Sequence, residues 1–288
     1  KTGGFLFVMR LLYNDTADDL DLRSLGFSGE QSDNLELMMP VGHCFIIGGP
    51  TGSGKSTTLQ RVLASIIREE AGKKHVITVE DPPEYPIMGA VQTPVTNAQT
   101  EEERSKAFQV AIKSAMRLDP DVIMIGEVRD TPSARLAVQA AMTGHQVWTT
   151  VHANNALAIL DRLIDLGVPV ELLADASIIT GLICQRLLKV LCPQCKVPIN
   201  SVLERYSQAD LQRIMSVAEL DKVFVIGSGC ENCRSTGIIG RTVVAETVVT
   251  DDKLLSFIRQ RDKLAAIAYW RNELRGLTMK DHALLKII

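Results

Sequence analysis

The chain has 288 residues, 46% hydrophobic and 23% charged, with a formal net charge of −3. That is the make-up of an ordinary globular protein large enough for two or three modest domains around a well-buried core. It excludes a uniformly basic nucleic-acid-coating surface, and no apolar run approaches bilayer length.

Residues 5–13 (FLFVMRLLY) read as a strand running into a polar linker, 14–21. The short apolar stretch at the start lacks a small-residue cleavage site, so no secretion signal is expected. The abrupt start on a strand reads as the end of a domain whose upstream part is missing. A short amphipathic helix is expected over 29–39. From there to about residue 186 strands and helices alternate.

The runs HCFIIG (43–48), HVITVE (75–80), DVIMIGE (121–127) and QVWTTVH (146–152) are short, apolar and β-branched. They suit central strands buried on both faces. Helical patterns lie between them, over 56–71, 101–118 and 132–142, the last with proline near its start and glycine beyond its end. This alternation predicts an α/β fold with a parallel, doubly wound sheet. A further helix is expected from about 170 to 188, placing Cys184 on a helix, with a helical insert over 207–218. Beyond residue 240 come a strand (RTVVAETVV) and two helices.

Residues 49–56, GPTGSGKS, satisfy G-x-x-x-x-G-K-[ST]. Triphosphate recognition needs several donors converging on one point. Glycines let backbone N–H groups curl around phosphates, and the helix that follows aims its positive end at them. Gly49, Pro50, Thr51, Gly52, Ser53, Gly54, Lys55, Ser56 and Thr57 form this cradle. Lys55 is expected on the β- and γ-phosphates of ATP and the Ser56 hydroxyl on Mg²⁺. A chance glycine-rich turn would lack the apolar strand before it and the amphipathic helix after it.

In open α/β sheets ligands bind beyond the carboxyl ends of the strands. Four expected strands end there in polar groups: the glycine-rich loop, Glu80-Asp81, Glu127 and His152. Glu127, after four apolar residues and Gly126, fits the acid that holds Mg²⁺ directly or through its waters. Glu80 and Glu84 are both placed to orient or deprotonate an attacking water, and spacing does not choose between them. Asp81, before Pro82, reads equally as a turn-shaping residue. His152 is expected to reach the γ-phosphate, while His145 reads equally as a core histidine.

Of six cysteines, four form C-x-x-C pairs, Cys192/Cys195 and Cys230/Cys233, separated by 34 residues. Two such knuckles give the four-sulfur set that suits structural Zn²⁺, a redox dithiol being the rival. Cys44 and Cys184 read as packed small hydrophobes, and no cysteine is expected beside the glycine-rich loop.

In this order the segments VMRLL (8–12), GPTGSGKSTTL (49–59), VITVEDPPEY (76–85), LDPDVIMIGEVRD (118–130), TGHQVWTTVHANNA (143–156), CQRLLKVLCPQC (184–195) and GIIGRTVVAE (237–246) resemble the secretion and type IV pilus ATPases, within them the type II secretion and pilus-assembly branch. The resemblance spans essentially the whole chain. It implies a RecA-like ATPase core over 22–186 and the end of an N-terminal domain with its linker over 1–21. A tetracysteine zinc module over 187–240 and a C-terminal helical segment over 241–288 complete the expected division.

The same resemblance implies nucleotide-site roles for Glu80, Glu84, Glu127, His145 and His152. Arg10 would reach the nucleotide when domains close, and Arg129 would either couple charge or form a surface ion pair. It further implies a homo-hexamer hydrolysing ATP to drive an inner-membrane platform protein. Such a motor would be cytoplasmic, peripherally attached to the bacterial inner membrane, with no transmembrane segment and no nucleic-acid partner. The rivals are a pilus retraction motor, a phosphotransferase with a zinc-stapled lid and a DNA-dependent ATPase. The Thr-Val-His-Ala form of the histidine segment and the few residues before Arg10 depart from the family pattern.

Overall fold

The computed structural model describes residues 21–40, 43–95, 98 and 100–287. The expected strand over 5–13 and Arg10 lie outside them. The elements run α1 (Leu22–Leu25), α2 (Gly29–Met38), β1 (Cys44–Gly48), α3 (Lys55–Glu69), β2 (Val76–Glu80), β3 (Ala90–Pro94), α4 (Glu101–Ala115), β4 (Val122–Ile125), α5 (Thr131–Met142), β5 (Gln146–Val151), α6 (Ala158–Asp165), α7 (Val170–Leu173) and β6 (Ile179–Leu191). After them come β7 (Val197–Pro198), α8 (Gln208–Met215), β8 (Phe224–Val225), β9 (Ile238–Val249), α9 (Asp252–Arg259), α10 (Lys263–Asn272) and α11 (Met279–Leu285).

Seven strands form one sheet in the order β3-β2-β4-β5-β1-β6-β9. Every pairing is parallel except β6 with β9. The period of two along each strand divides the core into two layers. Ile46, Ile77, Val79, Ile123, Ile125 and Val147 pack on one face with α4, α5 and α6. Phe45, Ile47, Val76, Val122, Met124 and Trp148 pack on the other with α2 and α3. Phe45 and Trp148, neighbours in register, stack with ring centroids 4.2 Å apart. Burial on both faces is why these strands read as unbroken apolar runs.

Helix starts are set by local chemistry. Thr100 and Asp130 cap α4 and α5 through reciprocal capping boxes with Glu103 and Ser133, arrangements that satisfy otherwise orphaned amides.

The chain departs from expectation in four places. The segment expected to stay helical to residue 188 instead forms the thirteen-residue strand β6, preceded by the short α7. Cys184 is therefore a strand residue. The run from Ile178 through Cys184 is largely β-branched or bulky around Gly181, where a Cβ would meet Met38 Sδ at 2.6 Å and Phe45 Cδ1 at 2.9 Å. Pairing with β1 on one side and β9 on the other overrides the weak helical spacing of Leu187 and Leu191. The edge strand β3 and helix α6 were not expected, and three helices, not two, follow β9. Both β6 and β9 run through the boundaries expected at 186 and 240, carrying the main sheet outward to the cysteine pairs.

The outer edge of β9 is closed by side chains. Gln31 donates to the Ala245 carbonyl at 2.6 Å, the Ala245 amide donates to His282 Nδ1 at 3.0 Å, and Trp270 Nε1 donates to the Thr247 carbonyl at 3.3 Å. Burial, aided by the nearby Lys286 charge, holds the His282 pKa below its ordinary value, so the ring serves as a neutral acceptor. Among the described residues no helix is long and apolar enough to cross a membrane.

Candidate active site and metal centre

All parallel strands point their carboxyl ends the same way, and there a cavity of about 500 Å³ opens. That volume lies within the ~300–1,000 Å³ usual for ligand pockets. It is lined by Thr51, Gly52, Lys55 and Ser56 from the loop after β1. Glu80, Asp81 and Glu84 line it at and after the end of β2, Glu127 and Arg129 after β4, Thr150 from β5 and His152 just after it.

The loop between β1 and α3 owes its shape to its glycines. Gly49 and Gly54 sit at φ +150° and +87°. A Cβ on Gly49 would lie 2.6 Å from the Gln185 carbonyl. The buried Gln185 on β6 braces the loop from below, donating to the Ser53 carbonyl at 2.8 Å. Lys55 Nζ folds over the loop onto the carbonyls of Gly49 (2.8 Å) and Pro50 (3.2 Å). Its burial lowers the ammonium pKa, while the charges of Glu127 and Glu84 oppose that.

Glu127 is held between the guanidinium of Arg129 and the imidazole of His152. Arg129 Nε donates to Oε2 at 2.7 Å, and His152 Nε2 lies 2.8 Å from Oε1. The segment bearing it is pinned on both sides. The Gly126 amide donates to the Val79 carbonyl, the Val128 amide to the Thr150 carbonyl, and Thr150 Oγ1 to the Gly126 carbonyl at 2.7 Å. Burial acts to lower the Arg129 pKa, but the Glu127 hydrogen bond and charge, with Asp81 and Glu101, raise it on balance.

Glu80 is largely buried, its Oε1 accepting from Thr78 Oγ1 at 2.7 Å and Gln92 Nε2 at 3.0 Å. Asp81 is more than a turn-former: Arg104 approaches it at 3.5 Å and Arg129 at 4.0 Å.

His145 is not brought here. It precedes β5, at the opposite end of that strand from His152, with Nδ1 3.1 Å from the Ala140 carbonyl and 3.0 Å from Thr143 Oγ1. Its local hydrogen bonding closes the turn after α5. Gly49, Pro50, Ser53, Gly54 and Thr57 shape the loop without lining the cavity.

Sequence reasoning missed Arg104, Ser105, Phe108 and Arg162, which complete the cavity wall. The only signal for Arg104 was its place in the first turns of a helix packed beside the strand ends. It also missed that Cys184 pairs in register with Gly48, directly beneath the loop. Burial, with a contribution from the Glu246 charge, pushes that thiol up to about 12, which leaves it protonated and a poor nucleophile.

Far along the β6–β9 ribbon, Cys192, Cys195, Cys230 and Cys233 place their sulfurs within 4.8 Å of one another. The separations are 3.7 Å for Cys192–Cys230, 3.8 Å for Cys195–Cys233 and 3.8 Å for Cys230–Cys233. A tetrahedron with Zn–S bonds of ~2.3 Å has edges of roughly 3.8 Å, so the spacing fits zinc. A disulfide would need ~2.05 Å. Cys233 Sγ accepts the amides of Cys230 and Gly237, each at 3.1 Å, as a metal thiolate does. The Cys230 amide is the main reason its pKa falls to about 6. Elemental analysis of the folded protein should find one zinc per chain, released by a thiol-modifying reagent. Folded, metal-free protein would reject this assignment.

The chain matches the family model described as type II/IV secretion system protein over residues 2–287. It is 37% identical over 252 residues to type II secretion system ATPase E of Vibrio cholerae, covering 87% of this chain and 47% of that protein. To type II secretion system protein E of Dickeya dadantii it is 34% identical over 282 residues, covering 98% and 53%. The chain thus spans about half the length of the curated relatives it matches. Among solved structures, the pilus retraction motor PilT with bound ADP superposes with a TM-score of 0.60 at 26% identity, covering 91% of this chain and 61% of that one. The ATPase DotB of Legionella pneumophila shares the fold, with a TM-score of 0.60 at 22% identity over 92% of this chain and 61% of its own.

Proposed function

The chain belongs to the type II/IV secretion system protein family, and on that premise we propose that it is the ATP-hydrolysing part of a hexameric motor driving a type II secretion pseudopilus or a type IV pilus. One observation carries the reading: Lys55, Glu80, Glu127 and His152 converge on a single cavity at the carboxyl ends of β1, β2, β4 and β5.

The loop amides and Lys55 hold the β- and γ-phosphates of ATP. Ser56 and Glu127, the latter directly or through water, would hold Mg²⁺, which would supply positive charge against that developing on the phosphoryl oxygens. Glu80 or Glu84 orients the attacking water and takes its proton. His152 donates toward the γ-phosphate, and Arg129 offsets charge beside Glu127. Arg10, outside the described residues, adds a further cation when domains close. The assembled motor acts in the cytoplasm, attached peripherally to the inner membrane through a platform protein.

Similarity to type II secretion system proteins over 87–98% of the chain supports the assembly reading. The test is ATP turnover by the full-length protein, followed together with assembly state and with secretion or pilus output in cells. Mg²⁺-dependent turnover in a hexamer, and loss of output on depletion, is expected. Surplus pili on depletion would point to retraction. Turnover that requires single-stranded DNA and weakens with salt would replace the proposal by a DNA-dependent ATPase.

A further inference from the structure

Glu246 lies on β9 opposite Cys184 of β6, is 8% exposed, and has no part in the chemistry described so far. Its two oxygens serve two different elements. Oε2 accepts the backbone N–H of Ala156 at 2.8 Å, and Oε1 accepts the N–H of Met279 at 3.3 Å. Ala156 belongs to the turn between β5 and α6, four residues past His152; Met279 is the first residue of α11.

Burying a carboxyl group is costly unless its hydrogen bonds are made. A loop needing only closure could be covered by apolar side chains at less cost. What the carboxyl group adds is a fixed geometry for the segment that bears His152. That segment is held at neighbouring points by the same ribbon. The Cys184 thiol donates to the Ala153 carbonyl at 3.7 Å, and Arg186 donates to Asn154 Oδ1 at 3.4 Å. His152 itself is half-exposed, and beyond this anchored segment its Nε2 lies 2.8 Å from Glu127 Oε1. The reach of the imidazole over the cavity therefore depends on where residues 153–156 are held.

We propose that Glu246 is a positioning residue for the hydrolytic site: by holding Ala156 it sets the reach of His152, and by holding Met279 it ties that setting to the C-terminal helix α11. The proposal rests on the reading above that His152 acts on bound nucleotide.

Glu246→Gln keeps the size of the side chain but replaces one acceptor with an amide NH₂ that faces a backbone N–H. In the full-length protein, kcat for ATP should fall about tenfold, with KM and nucleotide affinity little changed, as for a displaced catalytic group. In a His152→Ala background the same substitution should cause no further fall. A purely structural role would lower activity by the same factor in both backgrounds.

Met279→Pro deletes the second donor at a helix position where proline is tolerated. It should give a smaller fall in kcat that likewise vanishes without His152, and it carries the test should the glutamine variant not fold. Equal fold-losses with and without His152, or unchanged kcat in both variants, would overturn the proposal while leaving the nucleotide-site reading intact. Wild-type turnover by His152→Ala alone would remove that reading, and this one with it.

Discussion

Lys55→Ala should abolish ATP turnover and weaken nucleotide binding by roughly 10²–10³-fold, because each charge-assisted hydrogen bond it removes contributes about 1.5–3 kcal/mol. Among the described residues Lys55 is the one lysine lining the cavity, and its ammonium already bridges the Gly49 and Pro50 carbonyls at the loop rim. The other described cations on the cavity wall are Arg129, engaged with Glu127, Arg104, engaged with Asp81, and Arg162 on α6, outside the loop. The substitution removes a partly exposed side chain at the first residue of α3, outside both core clusters, so the melting temperature should hardly change. Lys55→Arg keeps the charge but presents a planar fork where a compact ammonium fits. It should recover part of the binding and little of the turnover. Titration with a fluorescent ATP analogue, beside steady-state turnover, separates the two effects. Wild-type affinity in the alanine variant would remove the loop from nucleotide recognition.

How far the sequence reached depends on what each residue's neighbours had to be. β1, β2, β4 and β5 were legible because strands covered on both faces must be apolar throughout. The gathering of Glu80, Glu127 and His152 followed from geometry, since parallel strands end on one side. The edge strand β3 stayed hidden. It is AVQTP, half-exposed, and its pairing with β2 is fixed in space by contacts its own composition does not announce.

β6 was misread for a related reason. Its second half carries polar and apolar residues at mixed spacing, and partners on both sides decide its conformation. Gln185 and Glu246, polar residues inside strands, gave no sign that one braces the loop and the other the His152 segment. The cysteine spacing, by contrast, predicted a four-sulfur cluster across a helical insert, and the fold brings the four sulfurs together around α8 and the β7–β8 pair. A short-range chemical pattern is readable where long-range packing is not.

Glu127→Gln tests the chemistry without emptying the site. The glutamine has the same shape and keeps one acceptor, so the hydrogen bonds that pin its segment at Gly126, Val128 and Thr150 are untouched. What is lost is the charge that Arg129 and His152 flank at 2.7 and 2.8 Å. With that charge gone, Mg²⁺ would lose the anionic anchor proposed for it, and Arg129 would lose its carboxylate partner. Turnover should fall by roughly 10²–10⁴-fold, the range for losing a positioned acid–base or charge-stabilising group. Binding of ATP should survive, since Lys55 and the loop amides are intact, and the variant should accumulate bound, unhydrolysed ATP. Raising Mg²⁺ should restore part of the rate if the carboxylate acts through the metal, and none if it acts on water. Glu80→Gln discriminates further. Glu80 Oε1 already accepts from Thr78 and Gln92, so its loss should leave the Mg²⁺ requirement unchanged while slowing hydrolysis. A Glu127→Gln enzyme that turns over ATP at the normal rate would leave β4 contributing only a scaffold, and the charge between Arg129 and His152 would need another purpose.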